Sequence, residues 1–183
     1  NLYAIFTELA QKIIKPSGRV GTIIPSGIAT DETGRQFFGN LVVNKLISQI
    51  LMFSDRSQVF PNVKKHFCLL VFLGSPDNTD LFELGSEFIE ASELADPDRR
   101  INVSTIQVQA VNPNTKTCPI LRCQRDADIL FQIYNTVDVL LLESPQTNPW
   151  QIAEDRFQLM FDMTTDRKKF KTFTELASEG ATL

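Results

Sequence analysis

The chain has 183 residues, of which 43% are hydrophobic and 22% are charged, and its formal net charge is −4. This composition is typical of a globular domain with a real core and excludes a disordered tail. No apolar run approaches the ~20 residues that a helix needs to span a bilayer. The chain also lacks a signal-peptide pattern and opens, without Met, in an amphipathic helical pattern, which predicts a piece of a longer protein.

Charge is distributed unevenly along the chain. Residues 1–75 hold eight Lys or Arg against four Asp or Glu, whereas residues 76–98 hold eight acids and no base. A basic first part can face phosphates, and the acidic stretch is expected to point away from them. Taken alone, a solvated surface explains such a run equally well.

Cysteine and histidine content restricts the chemistry. Cys68, Cys118 and Cys123 are odd in number and lack CxxC spacing, which favours a reducing, cytoplasmic compartment. Cys68 stands in the apolar run HFCLLVFL and is expected to be a buried thiol. His66 is the sole histidine, so no zinc site forms at the usual spacings. Its place at the start of a strand favours a surface or structural role.

The first predicted elements alternate between helix and strand. Helical spacing is followed by Leu2, Ile5, Phe6, Leu9 and Ile13. This helix ends at 16–18 and is followed by a buried strand that enters a loop at Pro25. Thr30 or Asp31 is expected to cap a second helix. The core side of that helix carries Phe37, Phe38, Leu41 and Val42.

Two more strands follow, over residues 46–53 and 66–74, joined by a polar loop. Because no helix separates them, they are expected to pair antiparallel. Strands separated by helices indicate an α/β sheet with parallel neighbours joined by crossovers. Three strands cannot complete a doubly wound sheet, so the other strands are expected upstream.

The second part of the chain is less regular. Residues 76–98 are ambiguous between a short strand and helical turns. Helices are predicted from Ser104 to about 111 and over residues 125–137, and alternation predicts a strand over 155–164. Thr172 and Glu175 form a capping-box pattern that opens a last helix, with Gly180 at its end.

Common catalytic signatures are absent from the sequence, including GxGxxG, GxxxxGK[ST], GxSxG and HExxH. No catalytic, cofactor-binding or metal-ligating residue is therefore assigned within the chain. The residues alone indicate a cytosolic α/β fragment.

Several blocks of the sequence nevertheless resemble one family. They are NLYAIFTELAQKIIKPSGRVGTIIPSGIATDETGRQFFG, VFPNVKKHFCLLVFLG, RRINVSTIQVQAVNPNTKTCPILRCQRDADILFQIY and NPWQIAEDRFQLMFDMTTD. In order and spacing they resemble the later part of adenine-specific DNA methyltransferases of type II restriction-modification and related phage-defence systems. The resemblance covers nearly the whole chain, and it implies a cytoplasmic protein of a bacterium or archaeon.

The resemblance implies the C-terminal half of a Rossmann-like, S-adenosylmethionine-dependent methyltransferase sheet over residues 1–75, with an α+β extension. Residues 76–183 would form that extension, or bridge, toward a target-recognition region. The parent protein would methylate the amino group of adenine in double-stranded DNA after flipping the base. The glycine-rich donor loop and the catalytic tetrapeptide are missing, so this chain alone is expected to bind no donor and to be inactive.

Two turn sequences imitate that tetrapeptide, which in the family is Asn or Asp, usually two prolines, then an aromatic residue. The sequence at 112–115, NPNT, lacks the aromatic residue, and NPW at 148–150 lacks the spacer. Both also come after the strands that should follow the tetrapeptide. We therefore interpret both as turns.

Phe60 is the residue to which the resemblance assigns a role. An aromatic residue at this place in the family stacks on the flipped adenine; the alternative is a loop aromatic anchored in the core. Arg56, Lys64 and Lys65 flank it and are candidates for phosphate contacts, or else ordinary exposed cations. A second basic cluster spans 167–171.

Two other functions stay open at this stage. The parent could be a non-catalytic DNA- or protein-binding module of a restriction or defence complex, with 76–183 as its docking surface. It could also be a structural protein with a methyltransferase-like half-fold.

Overall fold

The structure, a computed structural model, describes residues 2–57, 59–62, 64–76, 78–151 and 171–178. Its helices are α1 (Leu2–Ile13), α2 (Gly27–Thr30), α3 (Arg35–Val43), α4 (Thr105–Val111), α5 (Gln124–Thr136) and α6 (Phe173–Ser178). Its strands are β1 (Arg19–Pro25), β2 (Ile47–Phe53), β3 (Phe67–Leu73), β4 (Leu81–Phe88), β5 (Ile101–Ser104), β6 (Leu142–Glu143) and β7 (Gln146–Thr147). Short 3₁₀ turns lie at Glu32–Gly34, Ala91–Ala95 and Pro97–Arg99. Over these ranges, no helix combines the length and the apolar character that crossing a bilayer requires.

Five strands form one mixed sheet in the order β1-β3-β2-β4-β5, and β6 and β7 form a separate hairpin. β3 runs antiparallel to both β1 and β2, so those two strands are parallel to each other. The predicted antiparallel pairing of β2 and β3 is confirmed. The prediction that β1 and β2 are neighbours is wrong, because β3 lies between them. Its nearly continuous apolar sequence, FCLLVFL, suits a strand buried on both faces.

The sheet continues beyond residue 75. β4 pairs in parallel with β2, and β5 pairs antiparallel with β4. The stretch 76–98, ambiguous in sequence, contains both a strand and 3₁₀ turns. The domain boundary at residue 75 stays a prediction, and the predicted strand over 155–164 lies outside the described residues.

The main core lies between one face of the sheet and the helices α2 to α5. Fully buried members include Ile28, Phe38, Leu41, Val42, Ile50, Leu70, Phe72, Leu84, Val103 and Val108. Cys68 is fully buried in this core, as predicted. The expected cap at Thr30 or Asp31 is wrong: α3 begins after Gly34, with no side-chain capping hydrogen bond, because α2 and a 3₁₀ turn occupy residues 27–34.

One side of α1 is left uncovered by the described residues. The helix is confirmed, but its apolar stripe is 50–73% exposed; we call Leu2, Ile5, Phe6, Leu9 and Ile13 the α1 stripe. The opposite side packs on the core through Tyr3, Ala4 and Ala10. No described strand pairs with the outer edge of the neighbouring β1, where Ile23 is 57% exposed. A contiguous apolar surface beside an open strand edge is typical of a binding surface.

Candidate functional site

A crevice of ≈ 320 Å³ lies where three parallel strands end. β1, β2 and β4 run in the same direction, so their carboxyl ends meet at one edge of the sheet. Open α/β sheets bind ligands outside these ends. The lining includes Ser26, Asp31, Phe53, His66 and Glu87. This edge is therefore a place where a ligand can bind.

The loop between β2 and β3 begins at this edge and is held by backbone and serine contacts. The N–H of Ser54 donates to the carbonyl of Phe88 (2.9 Å), and the N–H of Ser57 donates to the carbonyl of Ser54 (3.0 Å). The Ser57 hydroxyl accepts a bond from the N–H of Val59 (3.4 Å). Both serines are buried, so the first part of the loop is fixed to the sheet.

Phe60 lies on this loop, and its side chain is partly buried and partly exposed to solvent. Its side chain is 38% exposed, and its ring packs edge-on against Phe67 with centroids 5.1 Å apart. It lines a groove together with Asp55, Arg56 and Lys64. The ring is thus supported from within while part of its surface stays open to a ligand.

The predicted cations lie on the same loop. Arg56 and Lys64 line the groove with Phe60, whereas Lys65 is exposed on the loop but is not part of the lining. Among the described residues, none of the three forms an ion pair within the chain. Asp55 contributes one carboxylate to the same groove, which leaves an excess of positive charge beside the exposed ring. Such a combination suits a ligand with an aromatic base and phosphates.

His66 closes the loop on the crevice side. Its side chain is 54% exposed, with Nε2 4.0 Å from Oδ1 of Asp55. Its backbone carbonyl accepts a hydrogen bond from the N–H of Ser26 (3.3 Å), which ties the loop to the end of β1. The described residues contain no group of three or more metal-ligating side chains. His66 therefore joins two strand ends through its backbone.

A row of aromatic rings, not anticipated from the sequence, supports Phe60 from below. Phe67 stacks on Phe53 at 4.7 Å and 6°, and Phe53 contacts Phe88 at 5.5 Å and 45°. The guanidinium of Arg99 lies over the Phe88 ring at 4.8 Å. We call Phe60, Phe67, Phe53 and Phe88 the phenylalanine row. Only the strand order reveals it, because its members come from separate parts of the chain.

The two sequences that imitate the catalytic tetrapeptide are turns, as predicted. The side chain of Asn112 donates to the carbonyl of Thr117 (3.0 Å), and Trp150 Nε1 donates to the carbonyl of Asp138 (3.0 Å). Neither sequence lines the crevice or the groove of Phe60. Both turns serve local structure.

Three of the eight acids in the acidic stretch 76–98 form ion pairs within the described part of the chain. Asp80 pairs with Lys45 (3.3 Å), Glu83 with Arg100, and Glu93 with Arg99 (2.9 Å). Hydrogen bonds from backbone N–H groups, with Arg99 nearby, lower the pKa of Glu93. These acids form internal contacts, which leaves less free negative charge for a docking surface than the sequence indicates.

The described residues contain no glycine-rich turn of the kind that holds S-adenosylmethionine in the family that the sequence resembles. The strand-to-helix turn after β1 contains one glycine, Gly27, and the carboxylate of Asp31 fills the space where a side chain would project. A donor site of the glycine-rich type needs an open backbone turn at a helix N-terminus. The turn after β1 is therefore not a donor loop of this type.

Comparison with known proteins gives one informative match. No family model matches the chain. Over 117 residues, the chain is 31% identical to the type II restriction enzyme and methyltransferase RM.Eco57I of Escherichia coli. The match includes 62% of this chain but only 11% of that protein. The chain thus spans about a tenth of the length of the curated relative that it matches.

A solved structure of a type I restriction-modification system methyltransferase subunit from Streptococcus thermophilus is also similar in part. The TM-score is 0.35 at 11% sequence identity, and the alignment covers 74% of this chain and 25% of that one. The relation to restriction-modification methyltransferases rests on the sequence match.

Proposed function

We propose that this chain is part of a DNA methyltransferase of a restriction-modification system, and that the parent protein methylates the amino group of adenine with S-adenosylmethionine as donor. In this proposal the sheet is the C-terminal half of a Rossmann-like methyltransferase sheet. Double-stranded DNA is the partner, and the adenine leaves the duplex to reach the site. The chain contributes the wall that holds the base.

The arrangement around Phe60 is the observation that carries the proposal. Chemistry on an amino group inside a duplex requires the base to be extruded, at a cost of a few kcal/mol. Stacking on an aromatic ring returns ~1–3 kcal/mol of that cost. Phe60 offers such a ring, and Arg56 and Lys64 beside it can contact the phosphates that flank the flipped nucleotide.

The uncovered surface of α1 and β1 supports the view that the sheet is completed by other residues of the parent. Apolar stripes of helices in α/β folds are normally covered, and open strand edges are normally paired or protected. Here an exposed stripe lies beside a strand edge with which no described strand pairs. A further strand beside β1, with its own helices, would satisfy both surfaces at once.

Product analysis in the parent protein tests this function. The complete gene would be expressed in a host that lacks DNA methylation, and the nucleosides of the host DNA would be separated and weighed by mass spectrometry. We expect N6-methyladenine and no methylated cytosine. The 183-residue chain expressed alone is the matched control and should give neither. Absence of methyladenine with the complete, folded parent would contradict the proposal.

A further inference from the structure

Three members of the phenylalanine row occupy paired positions on three neighbouring strands. Phe53 of β2 lies directly opposite Phe67 of β3, and on its other side opposite Phe88 of β4. The β2–β4 pairing shifts register between Leu51 and Phe53, and this irregularity brings Phe53 and Phe88 side by side. The strand order therefore builds one continuous line of rings along the carboxyl edge of β2 and β4.

This line forms a second core, distinct from the main one. Phe53, Phe67 and Phe88 are 3%, 8% and 0% exposed and cluster with Leu51, apart from the residues that pack under the helices. Buried rings in mutual contact at these distances are stabilised by more than their buried area. A cluster of this kind holds its members in one arrangement.

The end of the line remote from Phe60 is anchored by hydrogen bonds. Arg99 donates to a carboxylate oxygen of Glu93 (2.9 Å) and to the carbonyls of Ser86 (2.8 Å) and Glu87 (3.2 Å), while its guanidinium covers the Phe88 ring. A Cβ atom at Gly85 would lie 2.6 Å from the Phe88 ring, so the absence of a side chain at this glycine gives the ring the space that it occupies. Phe88 is thus fixed from both sides.

The near end of the line meets the loop that carries Phe60. Phe67 contacts the Phe60 ring edge-on, and the carbonyl of Phe88 accepts the hydrogen bond that fixes Ser54 at the start of the loop. The Phe60 ring and the start of its loop are therefore both held by contacts with the phenylalanine row. A change at Phe88 would reach Phe60 through ring contacts and through the loop backbone.

We propose that Phe67, Phe53, Phe88 and Arg99 are positioning residues that hold the Phe60 ring at the angle and height at which it receives the flipped adenine. The inference rests on the proposed function. It links the part of the chain beyond residue 75 to base stacking, because Phe88 and Arg99 belong to that part. None of these four residues touches the base; they act through Phe60.

Fluorescence of a base analogue tests the positioning role in the parent protein. 2-Aminopurine would replace the target adenine in duplex DNA that carries the site at which the parent methylates host DNA. This base is quenched when it stacks and bright when it is extruded without a partner. The variants are Phe88→Leu and Arg99→Met. The matched control is Phe82→Leu, a phenylalanine of β4 that is 1% exposed in the main core on the other side of the sheet.

We expect Phe88→Leu to raise the bound-state fluorescence and to lower kcat by about fivefold to tenfold, the effect of partial loss of stacking on one base. The KM for the donor should not change. Arg99→Met, at a less buried position, should change both quantities in the same direction by a smaller factor. Phe82→Leu should lower the melting temperature with unchanged fluorescence and kcat.

Equal fluorescence and kcat in Phe88→Leu, Arg99→Met and Phe82→Leu would overturn the positioning role. If Phe88→Leu does not fold, the comparison of Arg99→Met with Phe82→Leu decides by the same criterion. A parent protein that methylates no adenine would instead overturn the proposed function, and the inference with it. The two failures are thus distinguishable.

Discussion

The three cysteines differ in reactivity because they differ in burial. Burial raises the pKa of the Cys68 thiol to about 12 and raises that of Cys118 still further, whereas Cys123 is only half-buried. The thiolate is the reactive form, so the two buried thiols are inert at neutral pH. The burial of Cys68 followed from its apolar neighbours in sequence. That of Cys118 did not, because TKTCPIL carries no strand or helix periodicity and lies near the core only through the fold.

Titration with a thiol reagent at pH 8 should therefore modify Cys123 rapidly in the folded chain and Cys68 and Cys118 only after unfolding. Cys123→Ser should abolish the rapid phase, and rapid modification of all three native thiols would refute this account.

The raised pKa values of Cys68 and Cys118 mean that the folded state holds their protons more tightly than the unfolded state does. The resulting stability is complete below the unfolded value of ~8.5 and is lost as pH rises toward the folded value. The free energy of unfolding in urea should thus fall above pH ~8.5.

At the scale of elements, α1 is a helix that packs on the core along one side and exposes its apolar stripe on the other. Periodicity located the helix and its apolar stripe, but it could not show what faces that stripe. The order of β1, β2 and β3 was also beyond the sequence, since both a neighbouring and an interleaved arrangement satisfy the same apolar runs. The phenylalanine row depends on that order. Local patterns therefore predicted most of the described helices and the strands β1 to β3, whereas β4 to β7 were not assigned and the supports of Phe60 required the assembled sheet.

A substitution within the α1 stripe should change the free energy of unfolding less in the 183-residue chain than in the parent protein. Ile5 is 61% exposed here, so Ile5→Gln should change the free energy of unfolding of the 183-residue chain by no more than ~0.5 kcal/mol. If the rest of the parent covers the stripe, the same change should destabilise the parent by ~1.5–3 kcal/mol. Urea unfolding of both proteins measures this. Glu8→Gln, a polar control on the same helix, should have a small effect in both, and small effects of both substitutions in the parent would show that the stripe stays uncovered there.

At the scale of the whole molecule, we propose that the chain provides one wall of a methyltransferase site and that other residues of the parent provide the other wall. The groove of Phe60, the cations beside it and the crevice at the strand ends lie together at one edge of the sheet. The described residues offer no glycine-rich turn to hold a donor and no aromatic tetrapeptide to hold the amino group. The division of labour proposed for the parent follows: this chain grips the base and its phosphates, and other residues hold the donor.

The stacking role of Phe60 is tested most directly by steady-state methylation kinetics of the parent protein with Phe60→Ala and Phe60→Trp. Loss of ~1–3 kcal/mol of stacking should lower kcat of the alanine variant by between about fivefold and about 150-fold. The tryptophan variant keeps an aromatic face and should retain most of the activity. An alanine variant that methylates adenine as fast as the unmodified parent would contradict the account.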